Sequence, residues 1–164
     1  VYHEGELLIN GPAGFARSVE MAYEFIMRRR VQFSEIDRAG VLYFGNYYRF
    51  MEEAEHAFWR AMGVSVVTEV DGREISWPRI KTSCRYYAPA RFEDELELAL
   101  RVTKVGGRSV AFEVEFRCED CRIALGKMTV VFCTIGAGAF QPVSIPTPLR
   151  QILLGHVIPP GERP

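Results

Sequence analysis

The sequence predicts an α+β domain in which one long helix is held against a curved, five-stranded antiparallel sheet. Three observations predict it. Residues 47–62 carry apolar side chains at helical spacing, two later stretches alternate strictly between polar and apolar, and the order is strand, helix, then four strands. No repeat interrupts that order, and 164 residues are the length of one ordinary domain.

Bulk composition narrows the function classes. Hydrophobic content of 48% with 25% charged residues fits a soluble globular chain. Twenty basic against 21 acidic residues give a net charge of -1, which does not point to nucleic acid. No apolar run reaches the roughly 18 residues of a membrane-spanning helix, and Glu4 and Glu6 flank the short Leu7-Leu8-Ile9, unlike a signal peptide. Four cysteines in a chain with an ample core do not imply a disulfide scaffold, so a reducing cytoplasm is the expected location.

Taken in order, residues 1–20 have no clear period and hold Gly5, Gly11, Pro12 and Gly14, and are expected to be a flexible leader. Residues 21–154 form the expected domain and 155–164 a tail. The first strand is read over residues 23–33, with Tyr23, Phe25, Met27, Val31 and Phe33 on one face. Arg29 breaks that face and reads as a solvent-exposed interruption, and Arg28-Arg29-Arg30 as rim or subunit contact. Phe33 to Asp37 reads as the strand's end, residues 38–46 as an irregular bend, and the helix as starting near Tyr47 and stopping at Gly63.

On that helix Tyr47, Phe50, Met51, Ala54, Ala57, Phe58, Ala61 and Met62 share one arc, with Arg49, Glu52, Glu53, His56 and Arg60 opposite. Strands follow at about 76–87, 95–104, 109–117 and 123–134. Leu96, Leu98, Leu100 and Val102 alternate with charged residues, as do Val110, Phe112, Val114 and Phe116. Gly106-Gly107 and Glu119-Asp120 are the expected turns, and a short helix is read at 149–154.

One stretch resembles a known family. Asp37-Arg38-Ala39-Gly40-Val41-Leu42-Tyr43-Phe44-Gly45-Asn46-Tyr47 resembles the opening motif of the hotdog-fold acyl-CoA thioesterases, in the 4-hydroxybenzoyl-CoA thioesterase branch. Residues 86–96, with Tyr86-Tyr87-Ala88-Pro89, and residues 141–146, with Gln141-Pro142, also fit, so the likeness spans about residues 21–154.

The resemblance implies hydrolysis of an acyl-CoA to an acid and free CoA, with no cofactor and no metal. Asp37 would be the catalytic carboxylate, as nucleophile or as general base toward water. The backbone N–H of Phe44, at the start of the helix, would hold the thioester oxyanion, since free N–H groups and the dipole concentrate positive charge there. Gly40, Tyr43, Asn46, Tyr47 and Glu52 are the implied substrate contacts. Lys104, Gly107, Arg108 and Ser109 are the implied CoA contacts, with a neighbouring subunit contributing in a homodimer or homotetramer. Some members carry His at the Phe44 position, and Gly106 and Gly107 stand where the family can be basic; glycine N–H groups can still meet phosphate.

Plainer readings stand beside these. Asp37 is also a common kind of turn residue, and Glu52 also fits a solvated helix face, paired with His56. Cys118 and Cys121 form a lone CxxC pair across a turn, short of the four ligands zinc takes, while Cys84 and Cys133 read as core. Trp77, Tyr86, Tyr87 and Phe92 read as core or as the lining of an acyl pocket. A non-catalytic acyl-CoA-binding module and a hotdog dehydratase or hydratase are the alternative functions; the second is disfavoured because no histidine lies between His3 and His56.

Overall fold

The computed structural model of the chain describes residues 24–66, 68–70, 72–136 and 139–157. Its strands are β1 (Phe25–Arg30), β2 (Thr68–Val70), β3 (Arg73–Ser76), β4 (Arg79–Tyr86), β5 (Glu95–Val105), β6 (Ser109–Cys118), β7 (Cys121–Val131), β8 (Cys133–Gly136) and β9 (Ala139–Pro142). Helix α1 (Phe44–Ala61) follows β1, and α2 (Thr147–Leu154) follows β9. The leader expected over residues 1–20, Tyr23 and the last residues of the expected tail lie outside the described residues.

Five strands make the main antiparallel sheet, in the order β1-β5-β6-β7-β4, which leaves β1 and β4 at the edges. The alternation in β5 and β6 decides its inner face: Leu96, Leu98, Leu100, Val102, Val110, Phe112, Val114 and Phe116 are all buried. Against them α1 buries Tyr47, Phe50, Met51, Ala54, Phe58 and Trp59. Gly126 on β7 admits this helix closely, since a Cβ there would lie 2.5 Å from Met51 Sδ. Among the described residues no helix is long and apolar enough to cross a membrane.

Several boundaries depart from the sequence reading, each for a local reason. The expected strand at 76–87 is divided: β3 pairs with β8, and β4 begins only after Trp77 and Pro78. The expected strand at 123–134 divides at the same level, because the Phe132 N–H donates to Arg108 O (2.8 Å), outside the β6–β7 ladder. The freed ends form a second sheet, β2-β3-β8-β9, that the sequence reading did not contain. β1 ends at Arg30, and residues 33–35 form a 3-10 turn instead of a strand end. That turn is closed by the Gln32 N–H on the Glu35 carboxylate (2.8 Å) and the Glu35 N–H on Gln32 O (3.0 Å).

Arg29 also differs from its reading. It is not solvent-exposed: its side chain is largely covered, and its guanidinium lies 3.6 Å over the Phe50 ring. The helix starts three residues earlier than expected, at Phe44, and ends before Met62 and Gly63, where φ is +70°. Its buried side also takes in Glu55 and Trp59; Trp59 stacks on Trp77 with ring centroids 4.9 Å apart.

Candidate active site

Glu35 fixes where α1 begins. Its carbonyl oxygen accepts the Tyr43 N–H (2.9 Å) and the Asn46 side-chain amide (2.8 Å). Its buried carboxylate accepts from the Gln32 N–H (2.8 Å), from two Arg29 nitrogens (2.8 and 2.5 Å) and from Arg49. Burial pushes the Glu35 carboxyl up, but Arg29, the Gln32 N–H and Arg49 outweigh it and hold the group below its ordinary 4.5.

From this anchor the chain makes a tight loop around Asp37. The Asp37 N–H donates to Val41 O (2.8 Å) and the Gly40 N–H to Asp37 O (2.9 Å). Asp37 Oδ1 accepts the Ala39 N–H (2.7 Å) and, more weakly, the Val41 N–H (3.4 Å). Gly40 takes φ +73°, which a residue with a Cβ rarely adopts. The Leu42 N–H on Ala90 O (2.8 Å) and a bridge between Val41 and Arg91 pin the loop to the segment that precedes β5.

Two groups are left over. Asp37 Oδ2 has no hydrogen-bond partner among the described residues, and neither has the Phe44 N–H at the first position of α1. Asp37 and Phe44 line one cleft of ≈ 370 Å³, walled by Val41, Leu42, Tyr47, Tyr86 and Tyr87. An unengaged carboxylate oxygen and a helix N-terminus sharing a cleft suit acyl transfer, because one can attack or deprotonate while the other meets a developing oxyanion.

The model of the thioesterase superfamily matches residues 39–125. The chain belongs to the thioesterase superfamily. A provisionally named esterase of Aquifex aeolicus is 32% identical over 130 residues, covering 79% of this chain and 97% of the relative. The acyl-CoA thioesterase YbgC of Haemophilus influenzae is 25% identical and covers 74% and 88%. Among solved structures, a gentisyl-coenzyme A thioesterase superposes with a TM-score of 0.68 at 26% identity, covering 76% of this chain and 98% of its own. The protein is thus a thioester hydrolase with the hotdog fold.

The thioesterase brings only some of the sequence-expected residues together. Asp37, Phe44 and Tyr47 share the cleft, and Gly40 shapes its loop. Tyr47 is buried, its ring 5.0 Å from Tyr86 and 5.2 Å from Phe116, and burial pushes its hydroxyl up to about 12. The Tyr43 ring packs on the Phe44 ring (4.7 Å). Asn46 is occupied in holding Glu35. Glu52 does not reach Asp37: it pairs with Arg79 (3.1 Å) in a separate cleft further along α1.

Lys104, Gly107, Arg108 and Ser109 lie at the opposite end of β5 from the Asp37 loop. That strand has 11 residues, and at ~3.3 Å per residue it separates the two groups by roughly 35 Å. The turn is braced there by the Gly106 N–H on Ser109 O (2.8 Å) and the Ile145 N–H on Gly107 O (2.9 Å).

Sequence reasoning missed Glu35, Glu55 and Arg79. Arg79 reaches both Glu52 and the buried Glu55 (2.6 Å), whose carboxyl burial pushes up despite that partner. The available signal for Glu55 was Met51 and Trp59 one helical turn to either side, which puts it on the apolar arc. For Glu35 it was the spacing to Gln32 and an arginine on the apolar face of β1.

Proposed function

We propose that the protein hydrolyses acyl-CoA thioesters, with Asp37 as the catalytic carboxylate and the Phe44 N–H as oxyanion donor. The observation that carries the reading is the shared cleft, in which Asp37 Oδ2 and the first N–H of α1 are both without partners. Either Asp37 attacks the carbonyl carbon, or it takes a proton from a water that does so. In both routes the carbonyl oxygen gains charge beside the Phe44 N–H, the C–S bond breaks, and the thiolate leaves and takes up a proton. On the first route the acyl group is left on Asp37 as a mixed anhydride, which water then cleaves to release the acid and restore the carboxylate. Net, one water is consumed and an acid and a thiol are formed. The Haemophilus relative, an acyl-CoA thioesterase, and the gentisyl-coenzyme A thioesterase support CoA as the thiol.

The working unit is at least a homodimer, paired through β4. Among the described residues that strand is a sheet edge, with Ile80 65% exposed and unpaired backbone along its free side, the kind of edge that proteins usually cover. Arg79 and Ser109 both register with the end of β7, at Val130 and Val131, while Tyr86 at the other end of β4 walls the Asp37 cleft. Antiparallel pairing of two β4 strands therefore brings the partner's Arg79 end, and with it the turn at 105–109, toward the Asp37 cleft. This accounts for a CoA-binding turn so distant from Asp37 within one chain.

The test is a screen of short, long and aromatic acyl-CoAs, following thiol release, with Asp37→Asn alongside and light scattering for the assembly. Turnover by the parent and its loss in the variant support the reading. No release from any acyl-CoA, or equal rates in both proteins, sinks it; a monomer at micromolar concentration sinks the shared site.

A further inference from the structure

At the β4 edge of the main sheet α1 and β4 lie side by side, and the seam between them holds two clefts. The first is the Asp37–Phe44 cleft. The second, of ≈ 480 Å³, lies further along the helix and is lined by Tyr48, Arg49, Met51, Glu52, Arg79, Thr82 and Met128. Both are on the sheet's inner face. Tyr86, Cys84 and Thr82 of β4 pair with Ala124, Gly126 and Met128 of β7, which in turn pair with the buried Phe116, Val114 and Phe112.

Tyr86 walls the first cleft and Tyr48 the second. The Tyr86 hydroxyl donates to the Phe44 carbonyl oxygen (3.4 Å), and its ring meets the Tyr47 ring edge-on at 5.0 Å, so Tyr86 is held at the end of the first cleft that faces the second. Beyond Tyr86 the charged groups answer one another: Arg79 bonds Glu52 (3.1 Å) and Glu55 (2.6 Å), and Arg49 pairs with Glu35 and Glu53. What remains to face an occupant is the Tyr48 ring with Met51, Met128 and Thr82, mostly apolar and adaptable in shape.

We propose that Tyr86 sets the length of the acyl group: a chain entering at Asp37 stops against its ring, and the second cleft is the space a longer chain takes once that ring is gone. The substrate class that follows is compact acyl thioesters confined to the first cleft. This rests on the acyl-CoA hydrolase reading given above. Tyr86 acts here through shape, not by touching the reacting atoms.

The experiment measures kcat/KM for straight-chain acyl-CoAs from acetyl- to palmitoyl-CoA in the parent, Tyr86→Ala and Tyr86→Phe. The parent is expected to favour the short members. Tyr86→Ala should raise kcat/KM for the longer ones by about tenfold or more, the scale of a few methylenes gained in a pocket, while Tyr86→Phe keeps the ring and the parent profile. Tyr86→Val, which suits an edge strand, replaces alanine if β4 loosens.

The same acyl-CoAs are titrated by calorimetry against Asp37→Asn with and without Tyr86→Ala, so that length dependence is read without turnover. A length profile that Tyr86→Ala and Tyr86→Val leave unchanged, in rate and in binding, overturns the proposal. A shift in binding with no hydrolysis in any protein upholds the stop and defeats the hydrolase reading. Hydrolysis without any shift does the reverse.

Discussion

Glu35 and Asp37 are separated by one residue, Ile36, yet one is surrounded by cations and the other stands in an open cleft. Every lone-pair direction of the Glu35 carboxylate is engaged, by Arg29, Arg49 and the Gln32 N–H, and its backbone carbonyl holds Tyr43 and Asn46. Asp37 spends one oxygen on its own loop and keeps the other. A carboxylate can be a nucleophile or base only where some of its hydrogen-bonding capacity is left unused. On the proposed mechanism the pair divides the work: Glu35 positions the head of α1, and Asp37 presents the catalytic carboxylate to the space in front of it.

The largest effect belongs to Asp37→Asn. Asparagine keeps Oδ1 as an acceptor for the Ala39 N–H, so the loop survives while the charge is lost. We expect kcat to fall by about 10²–10⁴-fold, the range for removing a positioned acid–base group, with the thermal midpoint little changed. If Glu35→Ala costs as much kcat at an equal midpoint, the division of labour is wrong.

The next test deletes the proposed oxyanion donor itself. Proline is tolerated at the first helical position and lacks the N–H, and Tyr43 already has φ -59° and ψ 131°, the extended geometry that a following proline requires. Phe44→Pro should lower kcat by about 10²–10³-fold with α1 intact by circular dichroism. Phe44→Ala, which keeps the N–H, should lose far less. Equal losses in the two variants would assign the effect to the ring.

Glu35 should report in stability instead. Glu35→Ala strips Arg29 of one carboxylate on a largely covered side chain, a change on the order of 3 kcal/mol. The pH dependence has a definite sign. The folded Glu35 lies below its ordinary 4.5, so its contribution is present above that value and is lost as pH falls through the lower folded one. Denaturant midpoints taken from neutral to acid pH should therefore drop less steeply in Glu35→Gln than in the parent; parallel curves would show that the cation cluster does not hold the charge.

Much of this was readable from the chain alone, and what was not has physical reasons. The helix and strands β5 and β6 were legible because each repeats its period over many residues, and Asp37 and Phe44 because the motif keeps them in one loop. The second sheet was not: its strands are three or four residues long, too short to show a period, and two of them read as continuations of main-sheet strands. Glu35 was invisible for a different reason. Its partners Arg29 and Arg49 arrive from β1 and α1, and only the packed arrangement brings them to one carboxylate. Glu52 was misplaced because eight helical residues after Phe44 at ~1.5 Å each carry it roughly 12 Å down the axis, past the Asp37 cleft and into the second one.

Asn46 carries the smallest effect and separates the two roles most finely. The motif implies a substrate contact there, whereas its side-chain amide donates to Glu35 O at 2.8 Å. The two assignments differ in what Asn46→Ala changes. A lost substrate contact raises KM and leaves stability alone. A lost anchor costs about 1 kcal/mol, one ordinary hydrogen bond, and loosens the first turn of α1, so the thermal midpoint drops, kcat declines modestly and KM stays put. The second pattern is expected, because an amide already committed to the carbonyl that positions the helix has little left to offer an acyl group. A raised KM at an unchanged midpoint would return Asn46 to the substrate side and leave Tyr43 alone to tie Glu35 to the helix.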